Sequence, residues 1–154
     1  MEIKLVPRDT LKKNDLTLLI DLIYYNFENL SNFQNLNHNK KQIEKILKSD
    51  DSYVFFILNK NKIIAYMIAE SVLLADGRIV FYIYYLYTSP QFRNMGLASK
   101  LIEIGRKIGN NNNCIGIMLT CDTSDTKVHD YYLKKGFMPD MLMRTYDRFD
   151  VLYL

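Results

Sequence analysis

The sequence predicts one domain of the α/β or α+β class, residues 1–154, in which helices pack against a mixed sheet. Two N-terminal segments carry apolar residues at helical spacing, and two turn signals separate three strand-like runs. A long apolar strand then leads through a loop into an amphipathic helix. The chain is long enough to bury one hydrophobic core, and no stretch has the composition of a linker between domains.

The N-terminal half is predicted to run strand, helix, helix, strand, strand. A short strand at 3–6 ends at Pro7. The first helix is indicated by apolar residues recurring from Leu16 to Phe27, with Asn14 or Asp15 as its N-cap. A second helix at 40–48 turns its isoleucines and leucine inward. Strands at 52–58 and 62–74 are then joined by a compact turn at 59–61.

The C-terminal half begins with a hairpin at Asp76-Gly77, which leads into a strand at 78–87. That strand has almost no polar alternation, so we expect it to be central and covered on both faces. A helix at 95–108 ends near Gly109, and a strand follows at 114–121. A helix at 125–134 is closed by Gly136, and residues 137–154 hold two final strands.

The loop that opens the helix at 95–108 is the strongest functional signal. Arg93-x-x-Gly96-x-Ala98 follows an aromatic strand that runs into Pro90. A helix start offers unpaired backbone N–H groups and the positive end of the helix dipole. Gly96 permits a positive φ and a close backbone approach, and Arg93 supplies a cation suited to phosphate. The pattern predicts an anion site, although it matches neither nucleotide-binding glycine motif.

Two motifs in order resemble the GNAT superfamily of N-acetyltransferases. The loop is similar to that family's pyrophosphate loop, Gln/Arg-x-x-Gly-x-Gly/Ala, and it follows the segment Leu-Tyr-Thr-Ser-Pro at 86–90. Tyr132-x-x-x-Gly136-Phe137 is similar to the family's Tyr-x-x-x-Gly-Phe signature. The resemblance implies the GNAT fold: a mixed, mostly antiparallel sheet of six to seven strands, splayed between strands 4 and 5 and flanked by about four helices.

The resemblance also implies acetyl-CoA as cosubstrate and assigns residues to it. Pantetheine would pair with the backbone of Leu86, Tyr87 and Thr88, between strands 4 and 5. The pyrophosphate would be held by Arg93 and by the backbone of Asn94, Met95, Gly96, Leu97, Ala98 and Ser99. Asp125 stands where family members often carry a CoA-contacting Asn.

Catalytic residues follow from the same resemblance. Tyr132 matches the family's general acid towards the CoA sulfur, since a phenol with an ordinary pKa of about 10 is protonated at neutral pH. The spermidine/spermine acetyltransferase branch is similar over 81–98 but has Glu-Asp where this chain has Tyr84-Tyr85. Without those carboxylates, the candidate bases are Asp122, Glu70 or a water chain, and Asp122 is preferred. His38, in a polar loop, and His129, predicted to be exposed, are weaker candidates.

The expected reaction is acetyl transfer to a primary amine of a small molecule: polyamine-like, an amino sugar or an amino acid. Two alternatives stay open, namely a protein or peptide N-acetyltransferase and a CoA-binding module with little catalytic activity. The strand face that carries Tyr82 and Tyr84 could stack against an apolar or cationic substrate, although packing in the core is the more common role of such residues. No metal-ligand spacing is present, and Cys114 and Cys121 are expected to be unpaired and to act as small buried hydrophobic residues.

Charge and hydropathy limit the other partners. A net charge of +3 with mixed signs gives no basic face for nucleic acid. No apolar run is long enough for a bilayer, and the N-terminus has no signal-peptide pattern, so we expect a soluble, cytoplasmic protein without membrane partners. A homodimer is possible through an apolar C-terminal edge, whose candidates are Tyr146, Phe149, Val151 and Tyr153.

Overall fold

The computed structural model describes residues 2–5, 12–28, 38–121, 126–139 and 148–153. Within these ranges lie four α-helices: α1 (Lys13–Asn26), α2 (Lys40–Lys48), α3 (Leu97–Asn111) and α4 (Thr126–Lys134). Seven strands accompany them: β1 (Glu2–Leu5), β2 (Ser52–Asn59), β3 (Lys62–Leu73), β4 (Ile79–Thr88), β5 (Gly116–Cys121), β6 (Met138–Pro139) and β7 (Arg148–Tyr153).

The described strands follow the order β1-β2-β3-β4-β5-β7-β6. β1 pairs with β2, and β7 pairs with β5 and β6, all in antiparallel fashion, whereas β4 and β5 are parallel. The predicted mixed, mostly antiparallel sheet is therefore confirmed, as is the central position of β4. Of the residues of β4 only Ile79 is exposed, which agrees with the expectation of two covered faces.

The chain divides into two compact units, Met1–Ile68 with Tyr85–Leu97 and Ala69–Tyr84 with Ala98–Leu154. In the first unit, α1 and α2 bury one apolar face each. Leu19 and Ile23 of α1 and Ile43 and Leu47 of α2 are almost fully buried. The predicted bounds of α2 are confirmed, and its N-cap is Asn39, whose side chain accepts from the Gln42 N–H at 2.8 Å.

The helix starts were less well predicted than the hairpins. α1 begins after Lys12, which makes no side-chain capping bond, so neither Asn14 nor Asp15 is the N-cap. The turn between β2 and β3 is a two-residue loop in which Lys60 and Asn61 have positive φ values of 50° and 63°. Two such residues are typical of a type I′ turn, whose twist suits an antiparallel hairpin.

In the second unit, α3 passes through Gly109 and ends two residues later. Asn113, at φ 58°, takes the left-handed position, and the Cys114 N–H reaches the Gly109 carbonyl at 2.9 Å. The predicted end at Gly109 was therefore wrong, because an asparagine supplied the left-handed residue that closes the helix. β5 starts at Gly116, so Cys114 lies before the strand rather than on it. Cys114 is nevertheless a buried free thiol, as expected.

Candidate functional site

The loop between β4 and α3 has the geometry of an anion cradle. The Ser89 N–H bonds to the Ile64 carbonyl at 2.8 Å, and a single 3₁₀ turn over Pro90–Phe92 follows. Asn94 and Gly96 then both adopt positive φ values, 63° and 78°. Within the described ranges, the six backbone N–H groups from 94 to 99 have no acceptor. A run of free N–H groups at left-handed residues and a helix start attracts anions.

The charges around this loop support the same conclusion. No aspartate or glutamate occurs between residues 77 and 102, whereas Arg93 and Lys100 are both cationic. Arg93 Nε donates to the Thr88 carbonyl at 3.1 Å, which ties the guanidinium to the end of β4. Its two terminal nitrogens have no acceptor among the described residues. One edge of the fixed cation is thus left for a ligand.

The space at Gly96 is suited to a phosphate-bearing ligand. A Cβ built there would meet no protein atom within 4 Å, so glycine is required by its φ and not by protein packing. A ligand can therefore approach the backbone directly. The row of N–H groups without an acceptor among the described residues, the lack of acidic residues in the flanking sequence 78–102 and the open backbone together suit an anionic ligand.

A group of aromatic rings packs around the C-terminal part of β4, residues 85–88, in the first unit. This aromatic cluster consists of Tyr24, Phe27, His38, Tyr66, Tyr85 and Tyr87. Tyr66 stacks on Tyr87 with ring centroids 5.3 Å apart, and Phe27 contacts Tyr85 at 5.1 Å. Asn26 Nδ2 donates to the Tyr66 hydroxyl at 3.0 Å. Burial is the main cause that raises the pKa values of the Tyr66 and Tyr85 phenols. The pKa of Tyr85 rises to about 12.

His38 belongs to this cluster; it lies in the loop before α2, as predicted, but its side chain is buried. Its side chain is only 6% exposed, and both ring nitrogens have partners. Nδ1 lies 2.9 Å from the Tyr85 hydroxyl, and Nε2 lies 3.2 Å from the Tyr24 carbonyl. The sequence signal that could have indicated this was the run of aromatic residues on the facing elements, which can bury an imidazole.

A second polar group lies on β3, β4 and β5 in the second unit. The Tyr82 hydroxyl is hydrogen-bonded to Thr120 Oγ1, and the rings of Tyr82 and Tyr84 are 5.2 Å apart. Burial, with a further contribution from the Glu70 carboxylate that accepts its proton, raises the pKa of Tyr84 to about 12. Tyr84 is therefore a hydrogen-bond donor and not a base at neutral pH. Glu70, a candidate base, is held by this phenol.

The Tyr132–Phe137 signature closes helix α4. The Phe137 N–H bonds to the Tyr132 carbonyl at 3.0 Å, and the Gly136 N–H bonds to Leu133 at 3.1 Å. Gly136 has a φ of 95°, as the Schellman motif requires. The Tyr132 and Phe137 rings are in edge contact at 5.3 Å. The predicted closure of the helix at Gly136 is confirmed. His129 lies on this helix, as predicted, but it is only 5% exposed, so its predicted exposure was wrong.

Three of the predicted residues, Asp122, Asp125 and Tyr146, lie outside the described residues. Asp122 therefore stays a predicted base, Asp125 a predicted CoA contact and Tyr146 a predicted part of the dimer edge. Tyr153 is half-exposed on β7, and its hydroxyl accepts from Arg78 at 3.3 Å. The dimer stays a prediction.

The family model for acetyltransferases of the GNAT family matches residues 19–137. This chain belongs to the GNAT family. It is thus an acetyl-CoA-dependent acyltransferase, and both predicted motifs lie within the matched range. No curated protein matches the chain.

Solved structures of GNAT proteins and other acetyltransferases share the fold. An aminoglycoside acetyltransferase from an uncultured soil metagenomic sample is 22% identical, with a TM-score of 0.67 over 94% of this chain and 93% of the other. An acetyltransferase from Streptococcus agalactiae is 18% identical, with a TM-score of 0.72 over 99% and 98%. NAA60 of Arabidopsis thaliana, bound to a bisubstrate analogue, is 14% identical, with a TM-score of 0.72 over the same shares.

These GNAT comparisons do not single out the spermidine/spermine branch. None of the helices in the described ranges is both long and apolar enough to cross a bilayer. No set of three metal-ligating side chains is found in the same ranges.

Proposed function

We propose that this enzyme transfers the acetyl group of acetyl-CoA to a primary amine of a small molecule: polyamine-like, an amino sugar or an amino acid. The observation that carries the proposal is the row of six backbone N–H groups from 94 to 99, which have no acceptor among the residues that the structure describes and which include the open Gly96. Such a row binds phosphate oxygens without needing a metal or a dedicated side chain.

Acetyl-CoA, when bound, supplies the acyl group as an activated thioester. Arg93 and the backbone from Asn94 to Ser99 would hold its pyrophosphate. The backbone of Leu86, Tyr87 and Thr88 would position pantetheine and help polarise the thioester carbonyl. The Thr88 carbonyl already accepts from Arg93, so the same guanidinium would link the strand end to the phosphate loop.

Tyr132 is the proposed general acid for the departing thiolate. Its ring is held by Phe137 and by Tyr131, whose centroid is 5.3 Å away, so the hydroxyl is carried on a fixed support. A fixed phenol can donate a proton without reorganising the site.

The acceptor would carry little positive charge beyond the reacting amine. The tyrosines at 84 and 85 stand where the polyamine branch has two carboxylates, and Glu70 is the acid bonded to Tyr84. Aromatic faces hold apolar and hydroxylated molecules as well as single cations. An amino sugar or amino acid therefore suits the chain better than a long polyamine does.

Two measurements test the proposal in sequence. Thermal unfolding with CoA should show stabilisation of about 2.7 kcal/mol at 100 times the dissociation constant. Pantetheine, which lacks the pyrophosphate, should stabilise much less at the same concentration. No shift with millimolar CoA would remove the cofactor assignment.

CoA release is then followed with spermidine, kanamycin, glucosamine, an amino acid and a lysine peptide. Turnover above the solvent rate on one of the small amines supports the proposal. Turnover on the peptide alone would indicate a protein acetyltransferase instead. CoA binding without turnover on any amine would indicate a CoA-binding module.

A further inference from the structure

The buried pair His38–Tyr85 has a defined hydrogen-bond direction. The Tyr24 carbonyl can only accept, so the proton of the neutral imidazole is on Nε2, which lies 3.2 Å away. Nδ1 is then an acceptor, and the Tyr85 hydroxyl at 2.9 Å must donate to it. The Tyr85 oxygen keeps a lone pair with no donor among the described residues. The chain thus contains a phenol oxygen that can receive one proton while it passes its own to an imidazole.

The position of the pair relates it to the reaction. Tyr85 immediately precedes Leu86–Thr88, the part of β4 assigned above to pantetheine. Tyr85 also occupies one of the two positions where the similar branch carries a carboxylate. A tyrosine alone is a poor base, because its phenolate is costly at neutral pH. A tyrosine backed by a histidine does not need to ionise, since the proton continues to the imidazole.

We propose that Tyr85 and His38 together accept the proton of the substrate amine, with Tyr85 facing the amine and His38 acting through it. This inference rests on the proposed function. In the step, R–NH3⁺ gives a proton to the Tyr85 oxygen as the Tyr85 hydroxyl proton moves to His38 Nδ1. The products are neutral R–NH2, an intact phenol and an imidazolium. The positive charge moves from the substrate to His38, and its proton later returns to solvent.

The surroundings of His38 can hold that charge. The Tyr24 ring lies nearly parallel to the imidazole, with centroids 5.5 Å apart, and the Nε2–H bond to the Tyr24 carbonyl persists in both charge states. On α2, Lys40 is 5.5 Å from the centroid of the same Tyr24 ring and is paired with Asp21 at 2.9 Å. The hydrogen bond to Asp21 raises the pKa of Lys40, so its charge is constant across the neutral range.

The other titratable side chains that have ring contacts with this cluster, among the described residues, are tyrosines. Tyr87 on β4 and Tyr66 on β3 face the same cluster, and burial keeps the Tyr66 phenol protonated. A group that must be deprotonated in order to accept a proton produces an acid limb of kcat/KM, that is, a loss of rate at low pH. An acid limb that disappears when the imidazole is replaced is therefore the expected signature of His38 as the proton acceptor.

The experiment uses the amine from the panel that turns over fastest, with the full chain. Tyr85→Phe keeps the aromatic ring and removes the hydroxyl. His38→Asn replaces the imidazole by an amide, which can still form hydrogen bonds but does not titrate. Each should lower kcat/KM by about 10²-fold or more and abolish the acid limb. The double variant should fall no further than either single one, because the two groups act as a unit.

Tyr66→Phe is the matched control, since it removes another buried hydroxyl of the same cluster, the one bonded to Asn26. It should lose stability but keep the acid limb. The CoA-induced rise in Tm is measured for every variant, to show that each is folded and binds the cosubstrate.

Several outcomes would overturn the inference. One is a wild-type rate in His38→Asn, and another is a lowered rate with the acid limb intact, which indicates a purely structural pair. A limb that moves with the pKa of the amine when a second amine is used belongs to the substrate. Loss of the limb in Asp122→Asn but not in His38→Asn assigns the base to Asp122. If the wild type acetylates no amine, the proposed function fails instead, and the two failures are distinguishable.

Discussion

Replacing Gly96 by alanine separates the backbone strain of the loop from its contact with a ligand. Gly96 has a φ of +78°, and a Cβ there would meet nothing within 4 Å. Gly77, in the turn between β3 and β4, has a φ of +91° and equally open space. The left-handed conformation costs an alanine about 1–2 kcal/mol. A chain of this size loses about 2–4 °C of Tm per kcal/mol, so both variants should unfold about 2–8 °C below the wild type.

The two variants should differ once CoA is added. If the N–H row from 94 to 99 binds pyrophosphate, the methyl group of Gly96→Ala stands in the space that the phosphate needs. A tenfold loss of affinity corresponds to about 1.4 kcal/mol. At a CoA concentration 100 times the wild-type dissociation constant, the wild type and Gly77→Ala should gain about 2.7 kcal/mol. Gly96→Ala should gain about half of that.

The assay is a titration of Tm with CoA for the three proteins, with m-values or calorimetry to confirm equal unfolding behaviour. Equal CoA stabilisation of Gly96→Ala and Gly77→Ala would refute the pyrophosphate assignment, whatever the strain. Gly136→Ala shows how much a steric contact adds to the backbone strain. Gly136 has a φ of +95°, and the new Cβ would lie 3.2 Å from Leu152 Cδ1, whereas a Cβ at Gly77 meets nothing. Gly136→Ala should therefore lose more stability than Gly77→Ala.

Three further outcomes are expected. Tyr132→Phe should lower kcat by about 10²–10⁴-fold with little change in CoA binding, whereas Tyr131→Phe should leave kcat near that of the wild type; an unchanged rate for Tyr132→Phe, with chemistry rate-limiting, leaves thiolate protonation to water. Ile23→Ala, at a fully buried site, should cost about 2–5 kcal/mol in denaturant unfolding, and Leu18→Ala on the same helix, 64% exposed, should cost almost nothing. Because the pKa of Tyr84 is raised to about 12 in the folded state, its stabilising effect is present below about pH 10 and is lost as pH rises to about 12; Tyr84→Phe should make the fall in stability over that window shallower.

Local signals in the sequence predicted the turns and one helix well. The two residues between β2 and β3, the glycine at 77 and the glycine at 136 each act through their own φ, which needs no distant partner. The bounds of α2 followed from its strongly one-sided apolar pattern. The anion site at 93–98 was inferred from residue types in the same local way, and it stays a prediction.

Features that depend on distant contacts were missed. His38 was placed in a polar loop and His129 was expected to be exposed, yet both side chains are buried. The rings that pack on His38 come from distant parts of the chain, Tyr24 on α1 and Tyr85 on β4. The Tyr85 partner of His38 is 47 residues away in sequence. Helix ends also resisted prediction where the capping residue was unusual: α3 is closed by Asn113 and α1 starts without a side-chain cap. Capping preferences are weak compared with the packing that fixes where a helix ends.

The Tyr132–Phe137 signature has two physical roles that a sequence match cannot separate. Its glycine and phenylalanine N–H groups close α4, and its tyrosine contributes a carbonyl and a ring to that closure. A chain could keep this pattern to end a helix without using the phenol in a reaction, since phenylalanine would satisfy both contacts. The hydroxyl is the part that helix capping does not require. Its removal in Tyr132→Phe is therefore the substitution that distinguishes a catalytic tyrosine from a structural one.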